Sequence, residues 1–450
     1  MNEENVKHVL QDNFENYPKG STFFNNLGDL LGRGIFTSDG PEWKEQRRIG
    51  VHMFSAREFR ETILGAFIRH GYELQEILEY HSRTGVPIDM FNLFHRFTLD
   101  SIGEIAFGTS IGSLRDPTVP FATAFDHAQA TVEKRFFTPG WQILRYFLSN
   151  ERKLASSITI LNDFCYKLIE DRRKSNDYET RKDILSRFMA YKDDKTGKLL
   201  YYHDTPFLRD VILNFMIAGR DTTAQCLSWA VWLLGQNSEV TEKLCKEVET
   251  ISCTGGDKEA FITTPPVPMY DNPIYTSPPI YEYCPTHRTI QDQMPFTRNI
   301  LHETLRLYPS VPKDLKRSVK ADTLPDGTHI PAGSNVAYLP YCMGRNPHLW
   351  GNDCLEFKPE RWNEAFLPGS RISPYKFIAF NAGPRTCLGQ QMALVEASFI
   401  LGLIYRKYTL RLVPNQNIQY LDSLTLPMEE GVKMTVHKRQ NINTNPAIHT

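Results

Sequence analysis

Residues 380–389 read FNAGPRTCLG, a short loop rich in glycine and proline that delivers one cysteine to the start of a helix. That predicted helix runs through MALVEASFILGLIYRKY. Unpaired backbone N–H groups and the positive end of a helix dipole stabilise a thiolate, so we expect a lowered pKa for Cys387. Gly383 and Gly389 are expected to let the backbone approach the sulfur closely. A thiolate held in this way can ligate haem iron.

The other seven cysteines are expected to pack as small buried hydrophobic residues. The chain has eight cysteines in 450 residues and no Cys-x-x-Cys pair. This spacing favours neither a zinc site nor a disulfide framework. A reducing compartment fits this pattern.

Charge and composition exclude several classes of protein. The 51 Lys and Arg residues balance 52 Asp and Glu residues, so a nucleic-acid binder with a basic face is not expected. Hydrophobic residues at 41% and charged residues at 23% are ordinary for a globular chain. The first twenty residues are polar, and no apolar stretch approaches the roughly 20 residues that span a bilayer. We therefore expect neither an N-terminal anchor nor a membrane-spanning helix in this chain.

The periodicity predicts a mainly α-helical domain with small β-sheets. Amphipathic patterns predict helices near 57–80, 120–135 and 151–173, a long helix from Thr205 to about Asn237, and a helix from about Phe296 to Pro309. Asp39 is a candidate N-cap for a further helix, and residues 335–341 resemble a strand. The Asp-Gly turn in LPDGTHIPAG predicts a hairpin.

Prolines and tyrosines dominate the stretch from about 252 to 292, in which we expect no regular element and a surface loop. The prediction is one domain over residues 1–438, interrupted by this insertion, with a polar tail at 439–450. We find no internal repeat.

A second motif lies inside the long predicted helix, at Ala218-Gly219-Arg220-Asp221-Thr222-Thr223. Small side chains one turn before Thr222 could leave a groove beside a bound cofactor, while the Thr222 hydroxyl bonds the carbonyl of Ala218 and bends the helix. Asp221 and Thr222 could then move protons. Taken alone, an ordinary helix interior with one glycine explains the motif equally well.

Phe-x-x-Gly-x-Arg-x-Cys-x-Gly resembles the cysteine-ligand signature of the cytochrome P-450 superfamily, and the second motif resembles its oxygen-binding motif. The resemblance covers roughly residues 5–438. It is closest to the plant-type fatty-acid omega-hydroxylase branch, through ENYPKG, ETLRLYPSVP and YKFIAFNAGPR among other stretches. It implies the haem-enclosing helical fold of that family. Relatives carry an anchor, a hinge and first sheet strands, and this chain is expected to begin after them.

The resemblance also implies roles for individual residues. Cys387 is implied to be the axial iron ligand of haem b, Arg385 to pair with a haem propionate, and Phe380 to pack beside the thiolate. Trp43 and Arg47 match a helix that offers an arginine to the second propionate. Ala218 and Gly219 would border the oxygen site, with Asp221 and Thr222 as the catalytic pair.

Glu303 and Arg306 lie three residues apart on one predicted helix face. Alone, this spacing most often means a surface ion pair of little energetic value. The resemblance adds Arg361 from Pro359-Glu360-Arg361-Trp362 and implies a buried structural triad behind the haem.

By resemblance, the chain is a monooxygenase that inserts one oxygen atom of O2 into a C–H bond, with terminal hydroxylation of long-chain fatty acids as the expected reaction. An NADPH-dependent flavoprotein reductase of the cytochrome P-450 reductase type would supply electrons, because no dinucleotide motif follows the haem region. The resemblance places relatives on the cytosolic face of the endoplasmic reticulum membrane. Rival interpretations are an isomerase or dehydratase of lipid hydroperoxides, and a haem-binding or truncated protein without turnover.

Apolar residues fall where the family contacts its substrate, although each could equally be a core residue. They are Phe23, Phe24, Leu27, Leu30, Leu31, Ile35, Phe36, Val311 and Leu426.

Overall fold

The computed structural model describes residues 2–193, 196–251, 283, 285–363, 372–421 and 423–439, without the side chains of 57 and 58. The described chain is mainly helical, as predicted. Its α-helices are α1 (Glu3–Lys7), α2 (Gly20–Leu31), α3 (Gly40–Ser55), α4 (Arg57–Thr84), α5 (Met90–Phe107), α6 (Pro120–Lys134), α7 (Trp141–Leu144), α8 (Ser149–Ser175), α9 (Ile184–Met189), α10 (Thr205–Gln236), α11 (Ser238–Thr250), α12 (His287–Gln293), α13 (Pro295–Leu307), α14 (Pro340–Met343), α15 (Pro347–Trp350) and α16 (Gln390–Lys407).

The strands are short and lie at the margins of the helical body. β1 (Ile88–Asp89), β7 (Lys433–Lys438) and β6 (Tyr408–Leu412) form one antiparallel sheet in that order. β2 (Asp314–Arg317) pairs with β5 (Asn335–Tyr338), and β3 (Asp322–Thr323) pairs with β4 (His329–Ile330). The predicted hairpin is confirmed, since β3 and β4 flank Asp326-Gly327.

Helix α10 is the centre of the molecule. Pro206 lies in its first turn, and the Asp204 carboxylate caps it by accepting the N–H of Phe207 at 3.0 Å. The helix then runs through the core and packs closely along α5. Gly219 makes this packing possible, because a Cβ there would lie 2.6 Å from the side chain of Ile102 on α5. The long helix predicted from Thr205 to about Asn237 is therefore confirmed.

The prediction of no regular element at 252–292 is wrong at the C-terminal end of that stretch. Helix α12 begins two residues after Pro285, where the prolines stop and the Thr286 side chain accepts the N–H of Thr289. Tyr283 is buried against Phe399 of α16, with 5.9 Å between the ring centroids, so this end of the stretch is not a surface loop. Residues 252–282 and 284 lie outside the described residues, as does the predicted tail from 440 onward.

Arg406 of α16 lies beside both flanks of residues 252–282. Its guanidinium donates to the carbonyls of Val248 and Ile251 at 3.0 and 2.9 Å. The same guanidinium lies 5.5 Å from the centre of the Tyr283 ring. The described residues on either side of 252–282 therefore meet at one side chain.

Two further local predictions need correction. The strand predicted at 335–341 ends at Tyr338, because Pro340 has no N–H for a ladder and instead begins α14. Asp39 stands at the N-cap of α3 but makes no capping bond there. Its carboxylate accepts the backbone N–H groups of Lys19 and Gly20 and pairs with Arg385 at 2.7 Å.

Candidate active site

The cysteine loop is closed by its own backbone. The N–H of Cys387 donates to the carbonyl of Phe380 at 2.8 Å, and the Thr386 hydroxyl donates to the carbonyl of Gly383 at 2.6 Å. Gly389, the residue before α16, lies beside the sulfur, since a Cβ there would be 4.0 Å from the Cys387 Sγ. The loop therefore presents the thiol at the N-terminus of α16.

Gly383 is required for a reason that differs from the prediction. Its φ is +65°, and a Cβ would lie 2.0 Å from the carbonyl oxygen of Leu10. The close approach is thus to the N-terminal segment rather than to the sulfur. Any side chain at this position would push the cysteine loop away from that segment.

The predicted lowering of the Cys387 pKa is wrong for the protein chain by itself. The cysteine is exposed by surface area, yet protein atoms crowd the sulfur, and this desolvation raises its pKa. Three groups lower this pKa, as expected at the start of a helix: the backbone N–H groups of Gly389 and Gln390, and the Arg47 guanidinium. Their combined effect is smaller than that of desolvation. A positive charge placed beside the sulfur would lower this pKa.

The Arg385 side chain is largely buried, and one of its N–H donors has no acceptor among the described residues. Its Nη2 donates to the carbonyl of Ser38 at 2.9 Å and to Asp39, and its guanidinium lies 4.4 Å from the centre of the Trp43 ring. The Arg385 Nε is buried and has no hydrogen-bond partner among the described residues. An unsatisfied buried donor on a cation is costly, so the site is suited to an anion.

Trp43 and Arg47 lie one turn apart on α3 and both reach the cysteine loop. Trp43 is buried between Arg385 and Phe14. Arg47 donates to the carbonyl of Thr386 at 2.5 Å. The structure therefore gathers the cysteine, two arginines and the tryptophan from two distant parts of the sequence.

Ala218 and Thr222 are the accessible residues on an otherwise buried stretch of α10. From residue 207 to 231, all other positions of this helix are buried. The Thr222 hydroxyl donates to the Ala218 carbonyl at 2.7 Å, as the spacing predicted. Gly219 faces α5 instead and does not open the groove, which corrects its predicted position. The accessible surface at Ala218 and Thr222, called the groove below, spans one turn of α10.

Val311 and Leu426, which are expected to face the site, lie in loops that are hydrogen-bonded to this part of α10. The Ser310 hydroxyl donates to the Thr222 carbonyl at 2.7 Å, and the Leu426 N–H donates to the Ser310 carbonyl and to the Gln225 side chain. Neither Ser310 nor Gln225 could be predicted from the sequence, since single polar residues in loops and helices are common. These bonds fix where Val311 and Leu426 stand.

The side chain of Asp221 leaves this face of α10 and enters the contact with α5 and α6. Its Oδ1 lies 3.5 Å from Arg220 Nη1 and 3.9 Å from His95 Nε2. Arg220 also pairs with Asp126 of α6 at 2.5 Å. Burial raises the pKa of Asp221 to about 6, with Arg220 opposing and Asp126 adding to the rise. Asp221 and Thr222 are thus sequence neighbours that face different surroundings.

Glu303, Arg306 and Arg361 meet in the core. Arg306 binds both oxygens of Glu303 at 2.8 Å, and neither side chain is exposed. Arg361 Nε lies 3.3 Å from Glu303 Oε1, and the Trp362 indole N–H donates to Oε2 at 2.9 Å. The Glu303 carboxylate therefore joins α13 to the segment Pro359–Trp362.

The apolar residues expected at the substrate site divide into two groups. Leu27, Leu30 and Leu31 of α2 are core residues with almost no exposed surface, and so is Leu426. Phe24 and Phe36 are partly exposed, and Phe23 contacts Phe136 with ring centroids 5.9 Å apart.

Lys44 and Arg48, which could form a basic docking face, are instead paired with acidic neighbours. Lys44 contacts Glu15 at 2.8 Å and Arg48 contacts Glu45 at 3.6 Å. They form part of a solvated face of mixed charge.

Comparisons with known proteins agree with this geometry. The model of the family described as cytochrome P-450 matches residues 1–435. Cytochrome P-450 704B1 of Arabidopsis thaliana is 37% identical over 457 residues, which cover 97% of this chain and 85% of that protein. Cytochrome P-450 704C1 of Pinus taeda is 38% identical and covers 97% and 84%. The crystal structure of the cytochrome P-450DA haem domain superposes with a TM-score of 0.80 at 24% identity, over 98% of this chain and 87% of that one.

Glu303→Gln should lower the free energy of unfolding by about 3 kcal/mol, because it leaves two arginines without their buried countercharge. Urea unfolding followed by far-UV circular dichroism measures this. Glu242→Gln is the matched control, since Glu242 forms an exposed i,i+4 pair with Lys246. Equal stability of the two variants would contradict the triad's structural role.

Proposed function

Because the chain belongs to the cytochrome P-450 family, we propose that it hydroxylates long-chain fatty acids at or next to the terminal methyl group. Members of this family are haem b monooxygenases, which places the protein among the oxidoreductases that incorporate molecular oxygen. Bound haem supplies activation of O2 at a thiolate-ligated iron. The proposal concerns what this chain's residues contribute to that chemistry.

The residues of the cysteine loop fit a haem. Cys387 is an exposed residue, and a ferric ion beside its sulfur would favour the thiolate and so oppose the effect of desolvation on its pKa. The unpartnered Arg385 Nε is the observation that carries the haem assignment, because a propionate carboxylate satisfies a buried guanidinium donor. Arg47 would serve the second propionate, Trp43 would keep Arg385 in place, and Phe380 would pack beside the thiolate.

The groove on α10 is where the chain handles oxygen and protons in this proposal. Ala218 leaves room at its floor, and the Thr222 hydroxyl stands at its edge. Asp221 and Thr222 are the proposed catalytic pair: the pKa of Asp221, raised to about 6 by burial, lets this carboxyl group take up and release a proton near neutral pH, while the Thr222 hydroxyl stands at the groove. Glu303, Arg306 and Arg361 support the loop from behind and take no part in the chemistry.

A chain-like apolar substrate is supported by what surrounds the groove. Ser310, the residue before Val311, and the buried Leu426 are hydrogen-bonded to α10, and Phe23 of α2 and the nearby Phe36 keep exposed surface. Methylene groups look alike to such a lining, so the site of attack depends on how far the chain slides in before its carboxylate stops at the mouth. The relatives reported above are plant proteins, in agreement with the plant-type branch that the sequence resembles.

Electrons are proposed to come from a separate NADPH-dependent flavoprotein, and the protein is proposed to work at the cytosolic surface of the endoplasmic reticulum. No described helix is long and apolar enough to cross a bilayer. Residues 137–148 nevertheless expose Phe137, Ile143, Tyr146 and Phe147, each by 62% or more. Lys313 lies 4.6 Å from the centre of the Phe137 ring, and a cation beside exposed aromatic groups suits an anionic lipid surface.

Cys387→Ala should abolish the thiolate-type absorption of the reduced carbon monoxide complex, because the sulfur ligand is lost. The measurement is a difference spectrum of haem-loaded protein. Cys342→Ala is the control, since Cys342 is an exposed cysteine outside the site. An unchanged spectrum in the Cys387 variant would refute the ligand assignment.

Saturated and monounsaturated long-chain fatty acids should yield mainly terminal and next-to-terminal alcohols when NADPH and a cytochrome P-450 reductase are both supplied. Mass spectrometry of the products reads out the position. NADPH without the reductase should give no product above background. Mid-chain alcohols, or turnover of compact sterols alone, would overturn the substrate proposal, and conversion of lipid hydroperoxides without NADPH would favour an isomerase.

The double variant Phe137→Ser with Phe147→Ser should co-sediment several-fold less with phosphatidylcholine–phosphatidylserine vesicles, because it removes two exposed apolar rings of residues 137–148. Leu355→Ser is the control, as Leu355 is 70% exposed elsewhere. If both variants bind vesicles like the unaltered protein, this surface does not contact the membrane.

A further inference from the structure

Asn214 is a buried polar residue of α10 to which the proposed function gives no role. It lies one helical turn before Ala218 and two turns before Thr222, so the three residues follow one stripe along the helix. A buried amide group costs free energy unless its polar atoms are hydrogen-bonded. The partners of the Asn214 side chain therefore indicate what it holds in place.

The Asn214 amide joins the loop that follows α2 to the central helix. Its Nδ2 donates to the carbonyl of Leu31 at 2.8 Å, and its Oδ1 accepts the N–H of Phe36 at 3.2 Å. The Nδ2 also donates to the carbonyl of Asp210, one turn earlier in α10, at 2.8 Å. The helix thus fixes the orientation of the amide, and the amide holds both ends of residues 31–36.

Gly34 allows the loop to come this close to the helix. A Cβ added at Gly34 would lie 1.9 Å from Asn214 Nδ2, so no side chain would fit there. The backbone N–H of Arg33 donates to the Asp210 carboxylate at 2.8 Å and adds a second bond between loop and helix. The Phe36 N–H, however, is held by Asn214.

The Phe36 backbone lies between the start of the groove and the cysteine loop. Its N–H is bound one turn before Ala218, whereas the carbonyl of the preceding Ile35 lies 3.4 Å from Arg385 Nη1. The Phe36 side chain keeps exposed surface, and the family resemblance places it among the substrate contacts. Asn214 therefore fixes the backbone of a large apolar residue at one end of the groove.

We propose that Asn214 is a positioning residue that sets where along a bound fatty-acid chain the oxygen atom is inserted, by fixing Phe36 at the end of the groove. Secondary C–H bonds are weaker than primary ones, so a loosely held chain reacts beside its terminal methyl group rather than at it. Terminal attack needs a border that restricts the chain. Ser310, bonded to the Thr222 carbonyl, fixes the opposite end. This inference rests on the proposed fatty-acid hydroxylation and names a residue that decides its position.

Asn214→Leu nearly keeps the size of the side chain and removes its hydrogen bonds. In the haem-loaded protein, a peptide covering residues 33–38 should take up deuterium several-fold faster, because the Phe36 amide loses its acceptor. With NADPH and a cytochrome P-450 reductase, the ratio of terminal to next-to-terminal alcohols should fall at least three-fold. Asn299→Leu is the matched control and should change neither readout, since Asn299 is a buried asparagine of α13 that donates to Asn363 at 2.8 Å.

Gly34→Ala disturbs the same contact from the loop side and leaves Asn214 unaltered. Its methyl group would press on the amide, so deuterium uptake and the product ratio should move in the same directions as in Asn214→Leu. Gly28→Ala is the control, because a Cβ there meets the Phe24 ring at an ordinary 3.6 Å. Gly34→Ala provides the test if Asn214→Leu does not take up haem.

A double variant tests whether Asn214 acts through Phe36. In protein that already carries Phe36→Ala, the added Asn214→Leu change should alter the product ratio much less than it does in the unaltered protein. An asparagine that only stabilises the fold would alter the ratio equally in both proteins, or in neither.

The outcomes separate this inference from the proposed function. If the unaltered protein forms no fatty-acid alcohols, the proposed function fails and the inference fails with it. If alcohols form, and Asn214→Leu speeds deuterium uptake but leaves their ratio unchanged, only the positioning role is refuted. Unchanged deuterium uptake in both Asn214→Leu and Gly34→Ala would show that Asn214 does not hold the loop.

Discussion

The burial of α10 on nearly every side is the constraint on which the rest of the structure depends. A helix in the middle of a core must be matched by a neighbour at each turn, and a gap in that match is costly. Gly219 lets α5 approach to contact on one face, and the Ser310 and Gln225 bonds hold loops on another. The uncovered turn at Ala218 and Thr222 therefore has a rigid border, and a groove between fixed walls can orient what enters it.

The cysteine loop is shaped by a different constraint, the burial of polar groups that the chain alone does not satisfy. The Cys387 sulfur is crowded by protein atoms, and the Arg385 Nε has no acceptor among the described residues. Gly383 lies so close to the carbonyl of Leu10 that no side chain would fit there. The first two features are unfavourable for the chain alone, and the proposed haem site would relieve both, with the iron beside the sulfur and a propionate at the arginine. On this proposal, binding of haem would stabilise the folded protein, since it would remove costs that the chain alone bears.

The sequence predicted those elements whose signals are local. The span of α10 followed from Pro206 and a continuous apolar run, and the Thr222–Ala218 bond followed from residue spacing. Partners that come from distant segments could not be predicted. Nothing near Gly383 points to Leu10, and nothing near Gly219 points to Ile102. The pKa of Cys387 was predicted in the wrong direction because desolvation depends on all surrounding atoms, whereas the helix terminus is visible in the sequence.

The position of Arg406 has a consequence for how the chain can vary. The residues before 252 and after 282 both reach this one side chain, so the ends of the intervening segment are close together whatever its length. The entropy of closing a loop grows only with the logarithm of its length, about 0.6 kcal/mol for each doubling. A longer or shorter segment between Ile251 and Tyr283 would therefore change the closure entropy only slightly, because the two ends stay in place beside Arg406.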